Sequence, residues 1–267
     1  TRERWDTPDG DFIDVDWLSA PVPVTAQDPA TPLVVLFHGL EGSSRSHYAI
    51  ALMQALRQCG WHGVVPHFRG CGGMNNPLPR AYHAGDSAEV AWILETLAGR
   101  YRTLYAAGVS LGGNMLLKHL GEAGDRAVVK AAAGISVPVD MVAASENLDR
   151  GLSRLIYTGM FLKTLKAASR ATLARHPGLF DRDRMEASRT FSEFTFQVAS
   201  CMGMACRVRK SERGQCRSLC TNSLPDFAPS APAIALISCL RSSERRVSQG
   251  EMNQKSGVGT ESTRIFL

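Results

Sequence analysis

Ser110 sits in Gly108-Val109-Ser110-Leu111-Gly112, between the apolar run Leu104-Tyr-Ala-Ala107 and the helix-like stretch Asn114-Met-Leu-Leu-Lys-His-Leu120. A serine hydroxyl is a weak nucleophile at its own pKa, so acyl transfer needs it on a sharp strand-to-helix turn beside a general base. Glycines two before and two after the serine suit that turn, because side chains there would meet the neighbouring strand and helix. The bland alternative is an ordinary glycine-rich turn. The strand before, the helix after and the further Gly113 favour a nucleophile elbow. Acyl transfer also needs two backbone N–H groups aimed at the oxygen that becomes negative. The loop His38-Gly39-Leu40-Glu41-Gly42 follows an apolar run, where this architecture supplies the second donor, so the N–H groups of Leu40 and Leu111 are the expected pair.

The acid and base are not assignable. Elbows of this type run in the chain order Ser, Asp or Glu, then His. The seven histidines are His38, His47, His62, His67, His83, His119 and His176, and none follows His176. His176 is a candidate base only if geometry brings it to the serine. His38 precedes the serine and reads as a turn-shaping residue, Glu41 as a loop carboxylate and His119 as a core or boundary histidine. Asp86 reads as an N-cap. Asp226 is the only Asp of the tail, with no histidine after it to orient.

The elements that position these residues alternate strand and helix. Arg4 to Leu18 reads as a hairpin turning at Pro8-Asp9-Gly10, with Ile13, Val15 and Trp17 inward and Phe12, Asp14 and Asp16 on the solvated face. Pro32 to Phe37 is a continuous apolar run, as a buried parallel strand requires. Ser46 to Cys59 is a helix packing through Ile50, Met53, Leu56 and Arg57, with Gly60 after it. Strand 61–66, the loop Arg69-Gly70-Cys71-Gly72-Gly73, helix 86–97, strand 103–107 and strand 128–137 follow. This alternation means βαβ crossovers and a mostly parallel sheet, an α/β fold. From Pro138 the pattern becomes helical, and 138–190 reads as an inserted helical lid. The Arg69 loop lacks the ending of a P-loop and reads as a pocket-lining turn.

The chain has 267 residues, of which 44% are apolar, enough for one domain with a sizeable core. Its net charge of +5 is unevenly spread. Residues 1–199 hold 20 Lys+Arg and 20 Asp+Glu; residues 200–267 hold 10 and 5, with five of the seven cysteines and no Trp, Tyr or His. Such a tail lacks the ingredients of a core. Cys201, Cys206, Cys216 and Cys220 have spacings that fit no zinc site well. Arg207 to Arg213 has no interleaved aromatic for stacking on a nucleic acid. No metal, cofactor or nucleic-acid partner is expected. No apolar run is long enough to span a bilayer and no signal peptide is visible, so the expected location is cytoplasmic. Oligomeric state is not readable.

His38-Gly-Leu-Glu-Gly-Ser-Ser-Arg-Ser-His-Tyr48, His67-Phe-Arg-Gly-Cys-Gly-Gly73, Tyr82-His-Ala-Gly-Asp86, Gly108-Val-Ser-Leu-Gly-Gly-Asn114 and Leu148-Asp-Arg-Gly151 fall in one order. Together they resemble the YheT-like α/β hydrolases, the AB hydrolase 4 family, over about residues 2–194. The resemblance implies the α/β-hydrolase fold and serine esterase chemistry on short-chain esters or acylglycerols, with Ser110 as nucleophile. It also implies further strands carrying the acid and the histidine, which nothing after Phe194 matches. The resemblance implies a Leu-His-Gly-Phe or Leu-His-Gly-Tyr segment near this point, and for the second the codons CTG CAT GGG TAT G read one base late give Cys-Met-Gly-Met, the sequence of Cys201 to Met204. Residues 1–194 are therefore expected to form the hydrolase core and 195–267 a non-homologous tail, disordered or translated in a displaced frame. The competing expectation is a catalytically inactive hydrolase-like scaffold.

Overall fold

The computed structural model describes residues 1–18 and 31–199 and three short strands further on. The hairpin forms as β1 (Arg2–Asp6) and β2 (Phe12–Trp17), paired from Arg2↔Asp16 to Asp6↔Phe12. After it come β3 (Leu33–Phe37), α1 (His47–Gln58), β4 (His62–Pro66), α2 (Ser87–Ala98), β5 (Leu104–Val109), α3 (Leu111–Ala123) and β6 (Ala131–Ile135). Strands β7 (Val208–Lys210), β8 (Cys216–Ser218) and β9 (Arg264–Phe266) close the described chain. The main sheet has the order β1-β2-β4-β3-β5-β6-β9. Pairing is parallel from β4 to β9, and β2 joins β4 antiparallel.

All five residues of β3 are buried, as expected of a central strand flanked on both edges and covered on both faces. On one face Leu33, Val35 and Phe37 meet Val90, Ile93, Leu94 and Leu97 of α2 and Met115, Leu116 and Leu120 of α3. The α2 positions recur at the spacing of one helical face. On the other face Leu36, Val65 and Ala107 take Ala49 of α1. The face of α1 differs from the expected one. Met53 and Leu56 face inward as expected, but Ile50 and Arg57 are exposed, and Tyr48, Ala49 and Leu52 turn toward the sheet in their place.

The hairpin also departs from expectation. Ile13, Val15 and Trp17 are buried as anticipated, but Asp14 is buried too and Asp16 is largely covered. The Arg4 guanidinium binds both oxygens of Asp14, at 2.9 and 3.2 Å, and Arg2 binds Asp16 at 2.7 and 2.8 Å. The loop after β4 covers this face, with the His67 Nε2 3.0 Å from Asp16 and Gly72 packed on Asp14. A face that alternation marks as solvated is thus closed by paired charge.

Beyond β6 the chain is helical, as anticipated from Pro138. It forms α4 (Met141–Leu148), α5 (Gly151–Ser153), a π-helical turn (Arg154–Thr158), α6 (Gly159–Arg175), α7 (Arg182–Ala187) and α8 (Phe191–Ala199). These helices have their own core of Leu162, Phe180, Met185, Phe194 and Val198. Asp149 fixes the start of α8, accepting from the N–H groups of Phe191 at 2.6 Å and Ser192 at 3.0 Å. The edge of β6 is paired by β9 from Ala131↔Arg264 to Ala133↔Phe266. Of the tail cysteines, Cys201, Cys206, Cys220 and Cys239 lie outside the described residues, and most of the expectations for 195–267 lie outside them as well.

Candidate active site

Ser110 stands between β5 and α3 with φ 51° and ψ −119°. A non-glycine residue there is strained by about 1–3 kcal/mol, so the surroundings must hold it. They do so through the Ser110 N–H, which donates to Ile135 O at 2.9 Å, and through Ser110 O, which accepts from Asn114 N at 3.0 Å. Two glycines make the turn possible. A Cβ on Gly112 would run into the Phe37 and His38 carbonyl oxygens, and one on Gly108 would lie 2.5 Å from Gly113 Cα. The Asn114 Nδ2 donates to Pro138 O at 2.8 Å, which ties the first turn of α3 to the start of the lid.

The loop after β3 lies against this turn: a Cβ on Gly39 would be 3.5 Å from Ser110 Cβ. Its backbone N–H groups can be accounted for one by one. Gly39 N donates to the Tyr48 hydroxyl at 2.9 Å, Glu41 N to the Tyr82 hydroxyl at 2.8 Å and Gly42 N to Gly39 O at 3.0 Å. Leu40 N finds no acceptor among the described residues. Leu111 opens α3, and the first N–H groups of a helix have no intrahelical acceptor. The Leu40 and Leu111 N–H groups are thus both without a backbone acceptor among the described residues. Glu41 has φ 54°, and its carboxylate accepts from Tyr82 at 2.9 Å, which holds the bent loop from a second side.

His38 is fully buried. Its Nδ1 faces Gly39 O at 2.7 Å, and its Nε2 accepts from Phe68 N at 3.0 Å. Those partners fix the proton on Nδ1 and leave no lone pair for catalysis. Burial, with the nearby His67 adding to it against the Gly39 bond, pushes its pKa down to about 4. It joins the loop after β3 to the loop after β4. His176 ends α6 with Nε2 2.9 Å from Pro77 O. His119 is buried, as anticipated, and burial lowers its pKa. Among the described residues, no histidine is within hydrogen-bond distance of the Ser110 Oγ. A surface cavity of about 280 Å³ between α2 and α3, lined by Glu95, His119, Glu122 and Arg126, includes none of Ser110, Leu40 and Leu111.

The Arg69 loop is not the pocket lining that its glycines suggest. The guanidinium is buried among carboxylates, binding Glu89 at 2.6 Å, Asp9 at 3.0 Å and Asp11 at 3.3 Å. Asp86 holds Arg80 through both oxygens, at 2.7 and 2.8 Å, and makes no capping bond to α2, because the cation outcompetes the helix N–H groups. Burial raises the Asp9 carboxyl, but bonds from Thr7, Arg69 and Arg80 outweigh it and hold it below the usual range. Glu89 moves the other way, raised by burial. Cys71, beside Tyr82, is pushed up to about 12 by burial, which makes it inert as a thiolate. The tyrosines at 48 and 82 are the working residues that motif reading missed. They are visible in sequence only as the ends of two quoted segments.

A family profile described as alpha/beta hydrolase fold matches residues 32–183. Over 178 residues the chain is 42% identical to YheT, a candidate esterase of Escherichia coli (strain K12), covering 66% of this chain and 51% of that one. It is 32% identical over 207 residues to phospholipase ABHD3 of Bos taurus, covering 73% and 48%. It is 30% identical over 122 residues to a monoacylglycerol lipase of Saccharomyces cerevisiae, covering 45% and 27%. The chain spans about half the length of the first two of these relatives.

Proposed function

Because the chain belongs to the α/β-hydrolase fold family, we propose that it is a serine hydrolase of carboxylic esters, short-chain esters or acylglycerols, acting in the cytoplasm with Ser110 as nucleophile. The observation that carries this reading is the strained Ser110 with the unbonded N–H groups of Leu40 and Leu111 beside it. The names of the relatives, an esterase candidate, a phospholipase and a monoacylglycerol lipase, support an ester or lipid substrate.

The Ser110 Oγ bonds to the acyl carbon as its proton passes to a base, and the carbonyl electrons move onto oxygen. The Leu40 and Leu111 N–H groups stabilise that oxyanion, and their rigidity spares reorganisation at the moment of reaction. Collapse breaks the bond to the leaving alcohol, which takes up the proton. Water then releases the acyl group by the same steps and restores the serine. The acid and base remain unassigned, and the site as read needs no cofactor.

A second reading, a hydrolase-like scaffold without turnover, rests on the Ser110 Oγ having no hydrogen-bond partner among the described residues. Fluorophosphonate labelling and hydrolysis of p-nitrophenyl butyrate decide between the two. Labelling and turnover that vanish in Ser110→Ala support the hydrolase. A folded chain that neither labels nor turns over supports the scaffold.

A further inference from the structure

The lid helix is apolar on two sides. Its inner side, Leu162, Leu165 and Leu173, enters the lid core. Its outer side at the N-terminal end carries Leu152, Ile156 and Met160, four residues apart, and Tyr157 beside them, with exposures of 74%, 60%, 54% and 47%. The π-helical turn lies within this stripe and takes up the drift that an ideal α-helix would add between positions four apart. Arg154 and Lys163 flank the stripe, exposed and without a carboxylate partner among the described residues.

Charge says what such a face fits. The lid helix with its first turns, residues 150–175, holds six Lys+Arg and no Asp or Glu. It is thus a basic stretch on a body whose residues 1–199 carry no net charge. An apolar stripe with an aromatic residue and flanking cations is the pattern of a helix lying in a membrane interface, and a helix with six cations and no carboxylate of its own is drawn toward a negative surface. A second copy of this chain would instead set basic lid against basic lid.

We propose that the outer face of the lid helix, Leu152, Ile156, Tyr157 and Met160 with Arg154 and Lys163, docks the protein on an anionic lipid surface. The apolar residues enter the headgroup boundary and the cations meet lipid phosphates. No helix among the described residues is long and apolar enough to cross a membrane, so this contact is peripheral. It does not depend on Ser110 being active.

The test is flotation of the full chain with vesicles of phosphatidylcholine alone, or of phosphatidylcholine and phosphatidylglycerol in a three-to-one ratio. The chain should float with the anionic vesicles and not the neutral ones, and salt should weaken the binding. Leu152→Ser/Ile156→Ser/Met160→Ser should reduce binding at least tenfold with unchanged circular dichroism, and Arg154→Glu/Lys163→Glu should do the same. Both variants leave the basic tail intact. Equal binding by parent and variants would assign any membrane affinity to the tail and overturn the proposal. A parent that ignores both vesicle types overturns it as well, and so does a dimer that the serine variant converts to monomer without any vesicle binding.

Discussion

The Tyr82 hydroxyl and Glu41 are bonded twice, the hydroxyl accepting from the Glu41 N–H at 2.8 Å and donating to its carboxylate at 2.9 Å. One side chain thereby satisfies the backbone and the charge of a residue with positive φ, one position after the free Leu40 N–H. Tyr82→Phe removes both bonds and leaves the part-buried Glu41 amide unpaired, at a cost of about 1–2 kcal/mol. The melting temperature should fall by several degrees. If the loop supplies an oxyanion donor, fluorophosphonate labelling of Ser110 should slow about tenfold or more.

Strain at Ser110 gives a prediction of opposite sign. Glycine adopts φ 51°, ψ −119° without the penalty that a Cβ incurs. Ser110→Gly should stabilise the fold by about 1 kcal/mol in urea denaturation, while Ser110→Ala, which keeps the Cβ, should leave stability near the parent value. Both should lose all labelling.

His38 sets a pH dependence. It stays neutral in the fold down to about pH 4, while in the unfolded chain it takes a proton near its ordinary 6.5. The unfolded state therefore binds more protons between those values, and stability falls as pH drops through that window. The loss should approach about 3 kcal/mol by pH 4. Burial also lowers His83 and His119, which adds to the slope. Asp9 and Asp16, held below the usual carboxylate range, lose their contribution only at still lower pH. Urea midpoints at pH 7.5, 5.5 and 4.5 should fall in sequence, and His38→Asn should flatten the trend.

The buried charge under the hairpin should be unforgiving of half measures. Arg69→Met leaves Glu89, Asp9 and Asp11 without their shared cation and should cost about 3–5 kcal/mol. Adding Glu89→Leu should recover part of that loss, because it removes one of the stranded carboxylates. Equilibrium denaturation of the single and double variants measures the difference.

Much of this was legible in sequence because backbone demands are local. An elbow needs glycine at fixed offsets, and Gly108 and Gly112 are where carbonyls and neighbouring chain leave no room for a Cβ. Likewise, the unbroken apolar run of Leu33–Phe37 can only be a strand covered on both faces. Asp14, Asp16 and Arg69 were misread because their partners lie on other elements of the fold, and Asp86 because Arg80, six residues back, takes the oxygens that would have capped α2. Alternation cannot tell water from a distant guanidinium as the answer to a carboxylate. The tyrosines at 48 and 82 were missed for the same reason: their hydroxyls act on a loop that only the fold brings to them.

Strand β3 has a consequence for how the molecule is made. Its partners are β4 and β5, each reached only after a helix has been laid across the sheet, so its edges stay open while the intervening chain assembles. Pairings between distant segments form slowly. Until they form, Leu33-Val-Val-Leu-Phe37 is an uncharged, β-prone run able to pair with another copy of itself. Refolding yield should therefore drop as protein concentration rises, and a charge placed within this strand to prevent that would land in the driest part of the core.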